Sequence, residues 1–133
     1  MSSSSTMSDY TVSLTKASLT AGNGYGIYFR ATNVGAGING YAFQYDPGAG
    51  GFVIRKWVNG VEINPAIAYV SKPGYDWYSS PHTLEIKTVG NKFYGYVDGV
   101  LMLSGTDSTY TTGGAGIRTW DSTNFCADAF SVK

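Results

Sequence analysis

The chain has 133 residues, no net charge and only 14% charged residues, with Gly (18), Tyr (11), Ser, Thr and Asn in their place. A length like this suits one domain that buries roughly two-thirds of its unfolded surface. With no basic field, the surface argues against nucleic acid and anionic membrane as partners, because both are held mainly by Lys and Arg. The single cysteine, Cys126, rules out an internal disulfide or a thiol zinc cluster.

The opening "MSSSSTMS" has neither the charged start nor the apolar stretch of a signal peptide. Residues 1–8 are predicted to be a disordered leader or linker, and 9–133 one β-sandwich domain. No apolar run approaches the ~20 residues that span a bilayer. From there short runs of Tyr, Val, Ile, Phe and Thr recur, separated by turn residues. Strands are predicted at 9–19, 25–32, 39–46, 52–58, 62–70, 82–89, 92–98, 100–105, 114–120 and 124–132. Asn59–Gly60 and Asp98–Gly99 are hairpin turns of the kind that needs positive φ at both central residues. Gly90–Asn91 marks another, and "SKPGYDWYSSP" (71–81) is the longest irregular segment.

Alternation assigns the faces. In "YGIYFRA", Ile27, Phe29 and Ala31 share the core face, with Tyr28 and Arg30 on the other. "YAFQYD" turns Tyr41, Phe43 and Tyr45 inward, and Ala42, Gln44 and Asp46 away. "FVIRKWV" puts Phe52, Ile54 and Val58 with Lys56, opposite Val53, Arg55 and Trp57. Lys56 fits badly in a core and is expected near a strand end or with its amine reaching out. Leu84, Ile86, Phe93 and Val97 are core, whereas Tyr94 and Tyr96 look outward. "AGIRTW" separates Ala115, Ile117 and Thr119 from Gly116, Arg118 and Trp120. All three arginines of the chain are thus two residues from an aromatic residue, on the non-core face of a strand.

Three stretches carry a resemblance: "HTLEIKTVGNKFYGYVDGVLML" (82–103), "GNGYGIYFRATN" (22–33) followed by "GYAFQYDP", and the ending "FCADAFSVK". They resemble the concanavalin A-like lectin/glucanase superfamily, which includes laminin-G-like domains, over nearly the whole of 9–133. The resemblance implies an all-β fold, a jelly roll of two curved antiparallel sheets whose concave face binds glycans. It extends to head domains of type IV pilin-like proteins of Gram-positive bacteria. It also admits a structural Ca²⁺, with Asp9 and Asp128 as candidate ligands. Two carboxylates fall short of the 6–8 oxygens Ca²⁺ takes, so carbonyls and waters would complete the shell. No other cofactor is implied.

Catalysis is not expected. Hydrolases of this fold carry a Glu-x-Asp-x-Glu-type strand, because hydrolysis needs two carboxylates flanking the bond. The two glutamates, Glu62 and Glu85, belong to no such motif; Asp46 and Asp98 read as turn residues, and the lone His82 as structural. The expected function is non-catalytic binding of a polysaccharide, or adhesion, by a bacterial extracellular or cell-surface protein. Sugars need rings to stack on and planar polar groups to align hydroxyls. Tyr28, Trp57, Tyr75, Trp77, Tyr78 and Trp120 supply rings; Arg30, Gln44, Arg55 and Arg118 supply polar groups. Two alternatives remain open: an Arg–aromatic ladder that only stabilises the sheet, with Asp46 or Glu85 as salt partners, and a structural head domain meeting other subunits of a surface assembly.

Overall fold

The structure, a computed structural model, describes residues 8–21, 25–34, 37–46, 48–73, 81–119, 124–127 and 129–133. Eleven strands occur among them: β1 (Tyr10–Ala21), β2 (Tyr25–Val34), β3 (Gly37–Asp46), β4 (Gly51–Val58), β5 (Val61–Ser71), β6 (His82–Val89), β7 (Lys92–Val97), β8 (Val100–Thr106), β9 (Gly114–Thr119), β10 (Asn124–Cys126) and β11 (Ala129–Val132). They form two antiparallel sheets. One has the order β10–β1–β6–β7–β8, with β11 also pairing with β1; the other has the order β5–β4–β3–β2–β9. The all-β sandwich is as expected. The last predicted strand is two strands, both on β1: β11 pairs with Val12–Thr15 and β10 with 18–21. Among the described residues no helix is long and apolar enough to cross a membrane.

The turns follow their chemistry. Asn59 and Gly60 have φ of +50° and +79°, Asp98 and Gly99 +52° and +80°. Only residues that tolerate the left-handed region close such two-residue hairpins. The core lies between the sheets. Val12, Leu14, Leu84, Ile86, Phe93 and Val97 face Ile27, Phe29, Tyr41, Phe43, Phe52 and Ile54. At its centre Phe93 meets Tyr41 and Phe29 at ring-centroid distances of 4.6 and 5.1 Å. Such tilted and edge-on pairs add about 0.5–1.5 kcal/mol each beyond area burial.

Alternation fails at one place that matters. Pairing along β2 skips between Phe29 and Thr32 on the β3 side, and between Tyr28 and Ala31 on the β9 side. Arg30 occupies this bulge with φ +46°, so Phe29, Arg30 and Ala31 are buried in succession. Arg30 was expected beside Tyr28 on the outer face; the bulge turns it into the end of the sandwich instead. There Nε and Nη2 donate to the Ser8 carbonyl (3.0 and 2.8 Å) and Nη1 to that of Tyr110 (3.4 Å). The guanidinium also lies 5.5 Å from the Phe93 ring centroid. Ser8, assigned by its sequence to the leader, is thereby fastened to the fold, and its carbonyl also accepts from Thr88 Oγ1. Gly113 backs the bulge. A Cβ there would fall within 2.5 Å of both Arg30 C and Ala31 N, so no larger residue fits.

Ile117 is a second departure. It is in register with buried Ile27 but is 41% exposed, because β9 is the edge of its sheet and, among the described residues, has a neighbouring strand on one side only.

Candidate functional site

The outer face of the five-stranded sheet gathers most of the predicted residues that are described. Its registers run Arg118–Gly26–Gln44–Val53–Tyr69 and Gly116–Tyr28–Ala42–Arg55; in a third, Gly40, Trp57 and Glu62 are opposite one another. Small residues on β2, β3 and β9 leave room for the long ones to lie across the strands. Arg118 Nη1 donates to Gln44 Oε1 at 2.5 Å, and its guanidinium covers the Trp57 ring at 4.9 Å from the centroid. Its Nη2 is 3.9 Å from Glu62 Oε2. Arg55 completes the layer, with Nε 3.3 Å from Glu62 Oε1, Nη2 3.4 Å from Asp46 Oδ2 and Nη1 donating to Asn64 Oδ1 at 3.1 Å.

This layer reveals the shape of the face. Arg118 and Glu62 stand on opposite edge strands, about 19 Å apart across four spacings of a flat sheet. Two extended side chains and a 3.9 Å contact cover about 16 Å at most by standard bond lengths. The sheet therefore bends toward this face, which is concave. The layer also explains why Ala42, Gln44 and Val53 are buried although they point away from the core.

Three aromatic residues among those described share the face in different states: exposed Tyr69, whose hydroxyl donates to the Ala49 carbonyl at 2.7 Å, Trp57 and Tyr28. The Trp57 ring is occupied by Arg118, and its Nε1 is buried with no hydrogen-bond partner among the described residues. Tyr28 is half-buried and has no hydrogen bond or ring contact there. Of the other predicted site residues, Arg30 is absent from this face. Tyr75, Trp77, Tyr78 and Trp120 lie outside the described residues, as does Asp128.

The residue that sequence reasoning missed is Glu62. The salt partners expected for the arginines were Asp46 or Glu85. Asp46 is one, but Glu85 sits on the other sheet, where it accepts from Ser13 Oγ at 2.7 Å. Glu62 bridges both arginines. Its place after the "NG" turn put it in register with Trp57, and that signal was available.

The amine of Lys56 reaches out as expected, to Asp107 Oδ1 (3.5 Å) and Thr109 Oγ1 (3.2 Å). Asp107 Oδ2 also accepts from Tyr41 Oη at 2.6 Å. Burial opposes charge on Asp107. The hydrogen bonds from Tyr41 and Thr109, together with the Lys56 cation, outweigh it and hold the carboxyl below its ordinary value. Burial, reinforced by the Asp107 carboxylate, raises the Tyr41 phenol well above its usual range. His82 Nδ1 lies 2.7 Å from Asp98 Oδ2, whose Oδ1 accepts from the Thr83 N–H at 2.8 Å, so the pair ties the β7–β8 turn to the start of β6. Among the described residues no three His, Cys, Asp or Glu side chains converge as a metal site. Asp9 Oδ1 accepts from the Gly90 N–H at 2.9 Å and lies 3.4 Å from Arg30 Nη2.

No protein-family model and no curated protein sequence matches the chain. Solved structures do. The chain is similar to the carbohydrate binding module CBM66 from Bacillus subtilis, with a TM-score of 0.82 and 24% identity over 99% of this chain and 78% of that one. It is similar to the galectin LEC-6 of Caenorhabditis elegans, with a TM-score of 0.72 and 14% identity over 100% and 88%. A β-glucanase of Bacillus licheniformis follows at 0.54 and 22% over 96% and 56%. Identities this low establish a shared fold, the two-sheet jelly roll.

Proposed function

We propose that the chain is a non-catalytic carbohydrate-binding domain that holds a polysaccharide against the concave face of its five-stranded sheet. One observation carries the reading: an uncommitted, partly exposed Tyr28 ring shares that face with Gln44, Arg55, Trp57, Arg118 and Glu62. The ring stacks on a sugar's C–H face, and the fixed planar groups align its hydroxyls. A carbohydrate binding module and galectins among the structural neighbours support it. The absence of catalysis is inferred from the carboxylates. Neither glutamate belongs to a Glu-x-Asp-x-Glu-type strand, and Asp46 and Glu62 are both engaged by the Arg55 guanidinium. A site lying on one sheet buries little area, so affinity is modest, with Kd of about 1 mM to 10 μM. The low charge and Ser-, Thr- and Tyr-rich strands fit an extracellular, bacterial cell-surface setting.

The test is a glycan array and an insoluble-polysaccharide pull-down with wild type, Tyr28→Ala and Trp57→Ala. Binding by wild type that falls at least about tenfold in both variants, each still folded, is the expected result. If wild type binds nothing, or both variants bind as well as it does, the reading fails. Self-association through this face would then favour the structural head domain of a pilin-like assembly.

A further inference from the structure

We propose that Glu62 sets the charge class of the ligand. By bridging the two arginines of the concave face, it keeps the site neutral and selective for uncharged sugars over acidic ones. The inference rests on the glycan reading of the same face.

The argument is electrostatic. Arg55 and Arg118 are each only about one-eighth exposed (13% and 12%). Two guanidinium groups turned onto one concave surface are, by default, a site for carboxylate or sulfate. Their planar forks match such anions, and partial burial strengthens the attraction. Glu62 opposes that outcome: one oxygen is 3.3 Å from Arg55 Nε and the other 3.9 Å from Arg118 Nη2. Asp46 takes a second edge of Arg55 at 3.4 Å. Among the described residues, two cations and two anions leave the layer with no net charge. An acidic glycan would have to displace Glu62 to reach the guanidinium groups and would leave its carboxylate, 31% exposed, beside a second negative charge. A neutral glycan keeps the bridge intact and can accept from the remaining N–H groups of Arg55 while donating hydroxyls to Glu62 and Gln44. Selectivity here comes from an internal counter-charge that rejects the wrong ligand class.

The experiment removes the counter-charge and reads anion affinity. Wild type, Glu62→Gln and Glu85→Gln are compared on heparin–agarose under a salt gradient, and with soluble dextran sulfate by calorimetry. Glu85→Gln makes the same change in net charge on the other sheet, so it controls for long-range charge. Wild type and Glu85→Gln should elute together. Glu62→Gln should elute at higher salt, with dextran sulfate bound about fivefold to tenfold more tightly than by the control. Arg118→Met added to Glu62→Gln should cancel most of that gain. Co-elution of Glu62→Gln with Glu85→Gln overturns the proposal. If Glu62→Gln does not fold, Asp46→Asn strips Arg55 of its other carboxylate and must shift elution in the same direction, or the proposal fails. The two readings separate cleanly. An anion gain in Glu62→Gln with an empty glycan array leaves charge masking standing and removes the glycan reading. A positive array without the gain does the reverse.

Discussion

Replacing Arg30 by Met distinguishes the position that strand alternation assigns it from the one it occupies. Met keeps a long apolar stem against Phe93 and deletes the guanidinium. The Ser8 carbonyl then loses two hydrogen bonds, of 3.0 and 2.8 Å, and that of Tyr110 a longer one of 3.4 Å. Asp9 is 58% exposed, and its ion pair adds little. Charge-assisted hydrogen bonds contribute about 1.5–3 kcal/mol, and the guanidinium over Phe93 about 1 kcal/mol more. Resolvation of Ser8 at the surface offsets part of this, which leaves a loss of about 2–4 kcal/mol. A chain of this length unfolds with an entropy of about 0.28 kcal/mol/K, so the melting temperature should fall by about 7–14 °C. Scanning calorimetry gives the melting temperature, and retention on a polysaccharide bound by wild type gives the function of the folded protein. Binding below the melting temperature should be unchanged. A melting temperature within about 2 °C of wild type would refute the buried clamp, and lost retention with unchanged melting would return Arg30 to the binding face.

Two further outcomes follow from the same structure. The folded-state depression of Asp107 means that its ionised form contributes stability above about pH 4, the unfolded value, and that this contribution is lost as pH falls through the lower folded value. Melting temperatures from pH 6 to 2 should therefore show the advantage of wild type over Asp107→Asn shrinking below about pH 4; a constant difference would contradict the assignment. Gly95 faces the core, where an added Cβ would lie 2.8 Å from both Leu103 Cδ2 and Phe43 Cε1. Gly95→Ala should cost about 1–3 kcal/mol in a urea titration with unchanged slope, and a neutral result would show that the core yields there.

What the sequence determined by itself is the part of the molecule governed by local rules. Period-two runs such as "LEIKTV" and "YAFQYD" fixed strands and their inward residues, because successive strand side chains point to opposite faces. Asn59–Gly60 and Asp98–Gly99 fixed hairpins, because few residue types accept positive φ. The same rules set Arg55, Trp57, Gln44 and Tyr28 on one outer face. Tertiary structure decided what depends on partners distant in the chain. The Arg30 bulge follows from Tyr10, whose hydroxyl accepts the Arg30 N–H at 2.6 Å, and from Gly113 at its back, 20 and 83 positions away along the chain. The exposure of Ile117 follows from β9 lying at a sheet edge. Arg118 meets Glu62 only because the sheet curves, and curvature belongs to the whole sheet. No single strand carries a record that Glu62 will also meet Arg118, since that pairing exists only once five strands have assembled.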